Sequence, residues 1–270
     1  MVTENYNGFI HFLEKNGDDA NGTKELLNVH YHGDFFSTIR RKKMNVNLAV
    51  LEAAMFCGGI FDLSLIRKVS KSANLHLYEK QSDYGIRTKE HTVGLLNILK
   101  DDILSRRAVT QFNMPSHFII GENNFYSDLA CTLTAQIKIS SSSEVNLLVN
   151  MRSWDAVYGL PMDVVMFGTY GQMVTSLLNN ALPGYYSPGK LFVNAGSFHT
   201  YESTKHLASS SGSVHFYWKM PSVFSTEEMQ EWFAEAAISI ANGEREEVVA
   251  VRIDKSTQME RMYFNGDRYD

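Results

Sequence analysis

A run of alternating and helical patterns between residues 130 and 201 limits the chain to few folds. Ala130 to Ile139 and Val145 to Met151 alternate apolar and polar residues as strands do, and a serine run joins them. From Asp163 to Leu178 the apolar residues recur at helical spacing, and Leu191 to Tyr201 predicts another strand. Strands and long helices without regular βαβ alternation predict a mixed α+β domain.

Patterns elsewhere in the chain add helices to this domain. Val46 to Phe56 predicts a largely buried helix that ends at Gly58-Gly59, and Leu95 to Leu104 predicts an amphipathic helix. Ser225-Thr226-Glu227-Glu228 is a capping box that opens a helix, and Glu247 to Ile253 predicts a strand. We find no internal repeat and no interdomain linker, so we expect residues 1–270 to form a single domain.

Charge and composition exclude several classes of function. A net charge of −5 argues against a broad basic face for polymeric nucleic acid. No apolar run reaches the roughly 18 to 20 residues of a membrane span, and the N-terminus lacks the layout of a secretory signal. We therefore expect a cytoplasmic protein in which Cys57 and Cys131 are free thiols, and neither has the neighbouring ligands of a zinc site.

Cys131 is the candidate nucleophile, although a lone cysteine on a strand is more often buried filler, as we expect for Cys57. An arginine close to Cys131 would stabilise its thiolate, and thiolate addition to C6 of a pyrimidine activates C5. Arg152-Ser153 and the pair Arg106-Arg107 suggest a phosphate site, because guanidinium groups bind phosphate bidentately. The alternative for the arginine pair is a solvated helix end.

Three further positions have both a functional and a structural interpretation. Glu52 lies inside an apolar helix, either on its polar edge or in a pocket where it handles protons. Asp163 is either a charge near a helix start or the group that selects the base, since a carboxyl group suits cytosine and an amide suits uracil. His199 and Tyr201 share one strand face, where they either pack in the core or hold a sugar hydroxyl.

As a constellation, these residues resemble the thymidylate synthase superfamily, and within it the phage deoxycytidylate hydroxymethylases. The resemblance covers roughly residues 40 to 205. The stretches that carry it are Leu51-Glu52-Ala53-Ala54-Met55-Phe56, Asp83-Tyr84-Gly85, Ser105-Arg106-Arg107, Cys131-Thr132, Asn150-Met151-Arg152-Ser153, Asp155, Gly159, Asp163 and Gly196-Ser197 with His199 and Tyr201. Thymidylate synthases carry Asn where this chain has Asp163, so the resemblance favours dCMP as the substrate.

The resemblance implies a thymidylate synthase-like α+β fold, with a large twisted mixed β-sheet covered by helices and sheet faces packed in a homodimer. Arg106 and Arg107 of one subunit would then reach the phosphate of the nucleotide that is bound in the partner subunit. The one-carbon donor would be the co-substrate 5,10-methylenetetrahydrofolate, with no metal. Glu52 would order water, and the residues expected to contact the folate are Asp155, Tyr78 and Tyr84. A phage-encoded enzyme would act in the host cytoplasm.

Several alternatives stay open. The product is 5-hydroxymethyl-dCMP if water attacks the transferred carbon, and 5-methyl-dCMP if the folate donates hydride. Tyr78, at the place of a tryptophan in thymidylate synthases, and the polar stretch Phe264 to Asp270 favour water. A CMP enzyme and a catalytically silent nucleotide-binding homologue are further candidates. Lys24, Arg40 and Arg41 are unranked candidates for an additional phosphate contact.

Overall fold

Strands with one apolar face build the main sheet, because alternate residues of each strand enter the core. In the computed structural model, residues 6–20, 22–71, 84–113, 129–223, 225–254 and 261–264 are described. Within them the main sheet has seven strands: β1 (Asp18–Ala20), β2 (Thr23–Asp34), β4 (Val109–Gln111), β5 (Thr132–Ile139), β6 (Glu144–Asp155), β7 (Ser187–Tyr201) and β10 (Arg261–Phe264). A smaller sheet contains β3 (Ser37–Arg41), β8 (Ser210–Trp218) and β9 (Val249–Asp254).

The main sheet is mixed. Its strand order is β1-β2-β7-β6-β5-β4, and β10 also pairs with β2. The neighbours β6 and β7 run parallel, whereas the other pairs in this sheet are antiparallel. The parallel register sets Ser153 opposite Ser197 and Asp155 opposite His199, so motifs 44 residues apart in the chain become neighbours. The structure confirms the predicted α+β class.

Helices cover the inner face of this sheet. They are α1 (Tyr6–Asn16), α2 (Val46–Gly58), α3 (Leu63–Val69), α4 (Tyr84–Asp101), α5 (Gly159–Ala181), α6 (Thr226–Asn242) and the single turn α7 (Arg245–Val248), with a 3-10 turn at Lys205–Leu207. Helix α2 is apolar on nearly all sides, which is typical of a helix buried within the core. It packs against α5 and α6.

Helix boundaries follow the capping signals. The Asn45 side chain accepts the Leu48 N–H at the start of α2, and Gly59 ends it with φ of 63°, a left-handed conformation that suits glycine. The capping box at Ser225 is formed, since its hydroxyl accepts the Glu228 N–H and Glu228 accepts the Ser225 N–H. These two predictions are confirmed.

Two predicted boundaries are wrong. The helix expected from Leu95 to Leu104 begins at Tyr84 and ends at Asp101. It ends before Leu104 because the Asp102 carboxylate accepts the Leu104 N–H at 3.1 Å and forms a turn. The strand expected from Glu247 begins at Val249, because the preceding residues form α7.

The outer face of the main sheet exposes two rows of side chains. In one row hydrogen bonds join His30 to Asn194 at 2.6 Å, Asn194 to Asn150 at 3.0 Å and Asn150 to Thr134 at 2.9 Å. The next row includes Phe192, which stacks on His32 and is 36% exposed. Within the described ranges, no helix combines the length and apolarity that crossing a membrane requires.

Candidate active site

Cys131 lies immediately before β5, where the backbone holds it against β6. The Arg152 N–H donates to the Cys131 carbonyl at 2.8 Å. The Arg152 side chain donates to the carbonyls of Ala130 at 3.2 Å and Leu129 at 2.8 Å. The guanidinium group thus fixes the segment that carries the thiol, and Ser153 follows half-buried on β6. Cys131 is partly exposed, whereas Cys57 is buried in α2.

Burial and nearby carboxylates raise the pKa of the Cys131 thiol, although Arg152 lowers it. The expectation that an adjacent arginine favours the thiolate is therefore right in direction, but burial outweighs it within one chain. The acids that act on the thiol are Asp155 and Asp163, and Asp163 is ionised in the alkaline range where the thiol titrates. The thiol just before β5 and the acids around the β6–α5 turn are therefore close enough to influence each other electrostatically.

Asp163 lies in the first turns of α5, and its carboxyl group is held by Trp154. The indole Nε1–H donates to Asp163 Oδ2 at 3.0 Å. Although the residue keeps some exposed surface, burial of its carboxyl group raises the pKa to about 8, and repulsion from Glu52 and Asp155 adds to the rise. The bond from Trp154 opposes it. Near neutral pH, Asp163 is therefore mainly a neutral carboxylic acid.

Glu52 and Tyr84 complete this side of the site. Glu52 is partly exposed in α2, and its effect on the pKa of Asp163 places the two carboxyl groups near each other. The Tyr84 hydroxyl accepts the Thr132 N–H at 3.2 Å, one residue beyond Cys131. Burial raises the pKa of Tyr84, and interactions with Cys131 and Asp163 contribute. The buried Tyr84 hydroxyl therefore lies beside the thiol.

Asp155 closes the turn between β6 and α5. Its Oδ1 accepts the Val157 N–H at 2.9 Å and its Oδ2 accepts the Tyr158 N–H at 3.0 Å. A carboxylate oxygen has two lone pairs, so each keeps one for a further donor. Asp155 therefore has a structural role in this turn and also retains the capacity to bind a ligand.

His199 and Tyr201 contact each other on β7, as their spacing predicts. Their rings meet edge to face at 5.0 Å. His199 is 6% exposed, and its buried Nδ1 has no hydrogen-bond partner among the described residues. Burial lowers the pKa of His199, against the attraction of Asp155 and Glu25, and thus favours the neutral imidazole. Tyr201 is 45% exposed at the end of β7. Partial burial of its hydroxyl group raises the pKa of Tyr201, and the charges of Asp155 and Cys131 raise it further.

The backbone of Arg106 and Arg107 lies along β5 from the thiol of their own chain. Both are exposed after α4, near the far end of β5, since the Arg106 carbonyl accepts from the Gln136 side chain at 2.8 Å. Gln136 is five residues along the strand from Cys131, which is roughly 16 Å at the rise of an extended chain.

Of the unranked basic residues, Arg41 lies beside the site. It is 5% exposed, its Nη1 donates to the Lys42 carbonyl at 2.6 Å, and its guanidinium carbon lies 4.6 Å from the centre of the Tyr158 ring. Burial lowers the pKa of Arg41, while Tyr158, Tyr6 and Asp155 raise it. Lys24 instead pairs with Asp19 at 2.9 Å.

Sequence reasoning missed one residue of the site, named a second without ranking it, and named a third that lies outside the described ranges. Trp154 lies between Ser153 and Asp155, but its bond to Asp163 crosses the turn from β6 to α5, and no spacing rule predicts it. Arg41 gave no signal beyond its charge. Tyr78 lies outside the described residues. Within the described ranges, no cluster of three or more His, Cys, Asp or Glu residues is placed to hold a metal ion.

Comparison with solved structures defines the fold class. The chain superimposes on the crystal structure of thymidylate synthase from T4 phage with a TM-score of 0.65, covering 92% of this chain and 94% of that one at 16% identity. The fold is therefore that of thymidylate synthase.

Comparison with curated proteins narrows the class. The chain is 32% identical over 116 residues to deoxycytidylate 5-hydroxymethyltransferase of Enterobacteria phage T6, and 30% identical over 116 residues to the enzyme of the same name from phage T4. Each match covers 43% of this chain. The chain therefore spans less than half of the length of each relative, 44% in both cases. No protein-family model matches the sequence. Fold and sequence together support the thymidylate synthase superfamily.

Proposed function

We propose that the chain is a folate-dependent one-carbon transferase that acts on C5 of a pyrimidine nucleotide, and specifically a deoxycytidylate 5-hydroxymethyltransferase. The observation that carries this proposal is that the fold brings Asp163 near enough to Cys131 for its charge to raise the pKa of the thiol. The thiol supplies a nucleophile for C6 of a pyrimidine, and Asp163 supplies polar contacts for the edge of the ring. The matches to phage enzymes of that name support the choice of reaction.

The state of Asp163 suits cytosine. A neutral carboxylic acid has one donor and one acceptor, whereas cytosine offers an acceptor at N3 and a donor at N4. The two edges are complementary, because the carboxyl O–H donates to N3 and the other oxygen accepts from the amino group. A carboxylate facing uracil would bring two acceptors together, and each mismatch of this kind costs about 1–3 kcal/mol.

Bond formation would proceed by covalent catalysis. Cys131 loses its proton as its sulfur adds to C6, and C5 then forms a bond to the one-carbon unit that methylenetetrahydrofolate supplies. The proton at C5 leaves and the bond between the methylene carbon and the folate nitrogen breaks, which releases tetrahydrofolate and leaves an exocyclic methylene. Water adds to this exocyclic carbon, and the sulfur departs from C6. The balance is dCMP plus the methylene donor plus water, giving 5-hydroxymethyl-dCMP and tetrahydrofolate. Glu52, in the same electrostatic cluster, would take up and return protons.

The folate would bind on the side of Asp155. The lone pairs that remain on its two oxygens fit the ring N–H groups of a pterin, and the exposed Tyr158 ring lies next to them. Arg41 would hold this turn through its contact with the Tyr158 ring and its attraction to Asp155.

The phosphate would be bound by Arg152, Ser153 and the arginine pair of a second subunit. The Arg106 carbonyl is bonded to Gln136, which lies roughly 16 Å along β5 from Cys131, and this placement supports donation across a dimer interface. The outer sheet face, with its polar row and exposed Phe192, is the surface we assign to that interface. His199 and Tyr201 would bind the sugar hydroxyl, and the buried Nδ1 of His199 would gain a partner.

Incubation with methylenetetrahydrofolate and dCMP, dUMP or CMP, followed by mass analysis of the nucleotide, tests the proposal. We expect dCMP to gain 5-hydroxymethyl. Preferred turnover of dUMP would contradict the assignment of the base, and a 5-methyl product with dihydrofolate would contradict the reaction. Binding of dCMP without turnover by the wild-type protein would indicate a silent homologue.

A further inference from the structure

The side chain of Trp154 is held in one orientation by ring contacts and by a hydrogen bond. It is 1% exposed, and its ring meets those of Tyr31 and Phe198 edge to face, each at 5.6 Å. These contacts set the direction of the indole N–H, which donates to Asp163 Oδ2 at 3.0 Å. The indole nitrogen is a donor only, so whatever occupies the Oδ2 position must accept a hydrogen bond.

This donor orients the neutral carboxyl group of Asp163. The carbonyl oxygen of a carboxylic acid is a better acceptor than its hydroxyl oxygen, so the bond from Trp154 favours Oδ2 as the carbonyl and Oδ1 as the hydroxyl. The ligand therefore meets an acceptor at one fixed position and a donor at the other. Oδ2 keeps a second lone pair for a group on the ligand.

We propose that Trp154 determines base specificity by fixing the acceptor end of Asp163 toward the amino group of cytosine. The inference rests on the proposed function, because it requires that Asp163 faces the pyrimidine edge. In this arrangement N4 donates to Oδ2, and N3 accepts from Oδ1. Uracil presents the reverse pattern, so its O4 would face an acceptor and its N3–H would face a donor. Trp154 is a positioning residue, since it acts on the base through Asp163.

Replacing the acid by its isosteric amide separates the two residues. In Asp163→Asn, the Trp154 N–H still requires an acceptor at the Oδ2 position, so the amide oxygen lies there and the amino group takes the Oδ1 position. This amide copies the pattern of the neutral acid. We therefore expect Asp163→Asn alone to be slower but still to prefer dCMP over dUMP.

Removing the indole donor frees the amide to rotate. In the double variant Trp154→Phe/Asp163→Asn, the ratio of kcat/KM for dUMP to that for dCMP should rise about tenfold to a hundredfold over Asp163→Asn alone. Trp218→Phe is the matched control, because it also removes a buried indole bond, from Trp218 Nε1 to Thr169 Oγ1 at 2.8 Å. Trp218→Phe should lower the stability of the protein and leave the ratio of kcat/KM for dUMP to that for dCMP unchanged.

The pH profile gives a second readout that loss of packing would not move. The bond from Trp154 lowers the pKa of Asp163, so Trp154→Phe should raise that pKa further. The alkaline limb of kcat/KM for dCMP should then shift to higher pH in Trp154→Phe, and not in Trp218→Phe.

Two results would overturn the inference: a preference for dUMP in Asp163→Asn alone, or equal ratios in the single and double variants. If the double variant does not fold, the isosteric single variant still decides. If wild-type protein converts dCMP and these ratios stay equal, the role of Trp154 is refuted and the proposed function is not. Wild-type protein that converts neither nucleotide refutes the proposed function, and the inference fails with it.

Discussion

Asp163→Asn should stabilise the protein in the absence of ligand, because the buried acid destabilises the fold. The pKa of Asp163 is raised from its ordinary value of 3.8 to about 8, so between these values the folded state holds a proton that the unfolded state has released. The free energy of unfolding then falls by about 1.4 kcal/mol for each pH unit within that window. At pH 7 the accumulated cost is about 4 kcal/mol, and asparagine avoids it.

Urea unfolding of wild-type protein and Asp163→Asn at pH 5, 6, 7 and 8 measures this difference. We expect the advantage of the variant to be about 1.6 kcal/mol at pH 5, to increase toward pH 8 and to level off above it. Glu231→Gln, which removes an exposed carboxylate from α6, should stay within about 0.5 kcal/mol of wild type throughout. Equal stabilities at pH 7, or parallel pH profiles, would refute the reasoning about burial of Asp163.

The remaining predictions concern the nucleophile, the dimer and one helix cap. Cys131→Ala should abolish turnover and retain dCMP binding by calorimetry, whereas Cys57→Ala should remain active; residual turnover of Cys131→Ala above background would exclude this nucleophile. Arg106→Ala/Arg107→Ala should be inactive alone. Mixing this variant with Cys131→Ala should restore about a quarter of wild-type activity, because half of the dimers then contain one intact site out of two. No recovery after proven subunit exchange would count against donation across the interface. Ser225→Ala should cost about 1 kcal/mol in urea unfolding by removing the cap of α6, and an unchanged midpoint would contradict the role of that cap.

Local signals were enough to predict much of the fold. Helix α2 could be predicted because an apolar segment followed by two glycines indicates a buried helix and its end, and the capping box at Ser225 indicates the start of α6. The strand limits were less accurate. β2 was not predicted, because its alternation is interrupted at Leu27 and Asn28, where Asn28 adopts a φ of 57°.

The active site was predictable as a set of residue types but not as an arrangement. The resemblance indicated Cys131 and Asp163, and the structure supports their proximity through their electrostatic interaction. The opposing effects on the Cys131 pKa could not be ranked from sequence, because burial depends on packing. The bond from Trp154 to Asp163 depends on the angle between β6 and α5, which tertiary contacts determine.

Trapping the covalent adduct tests the central claim most directly. A 5-fluoro-dCMP probe with methylenetetrahydrofolate should stall after carbon transfer, because fluorine replaces the C5 proton that has to leave. Peptide mass spectrometry should then find nucleotide and folate attached to Cys131 in wild-type protein, and no adduct in Cys131→Ala. An adduct on another residue, no adduct at all, or preferential trapping by 5-fluoro-dUMP would contradict a thiol at position 131 that attacks a cytosine read by Asp163.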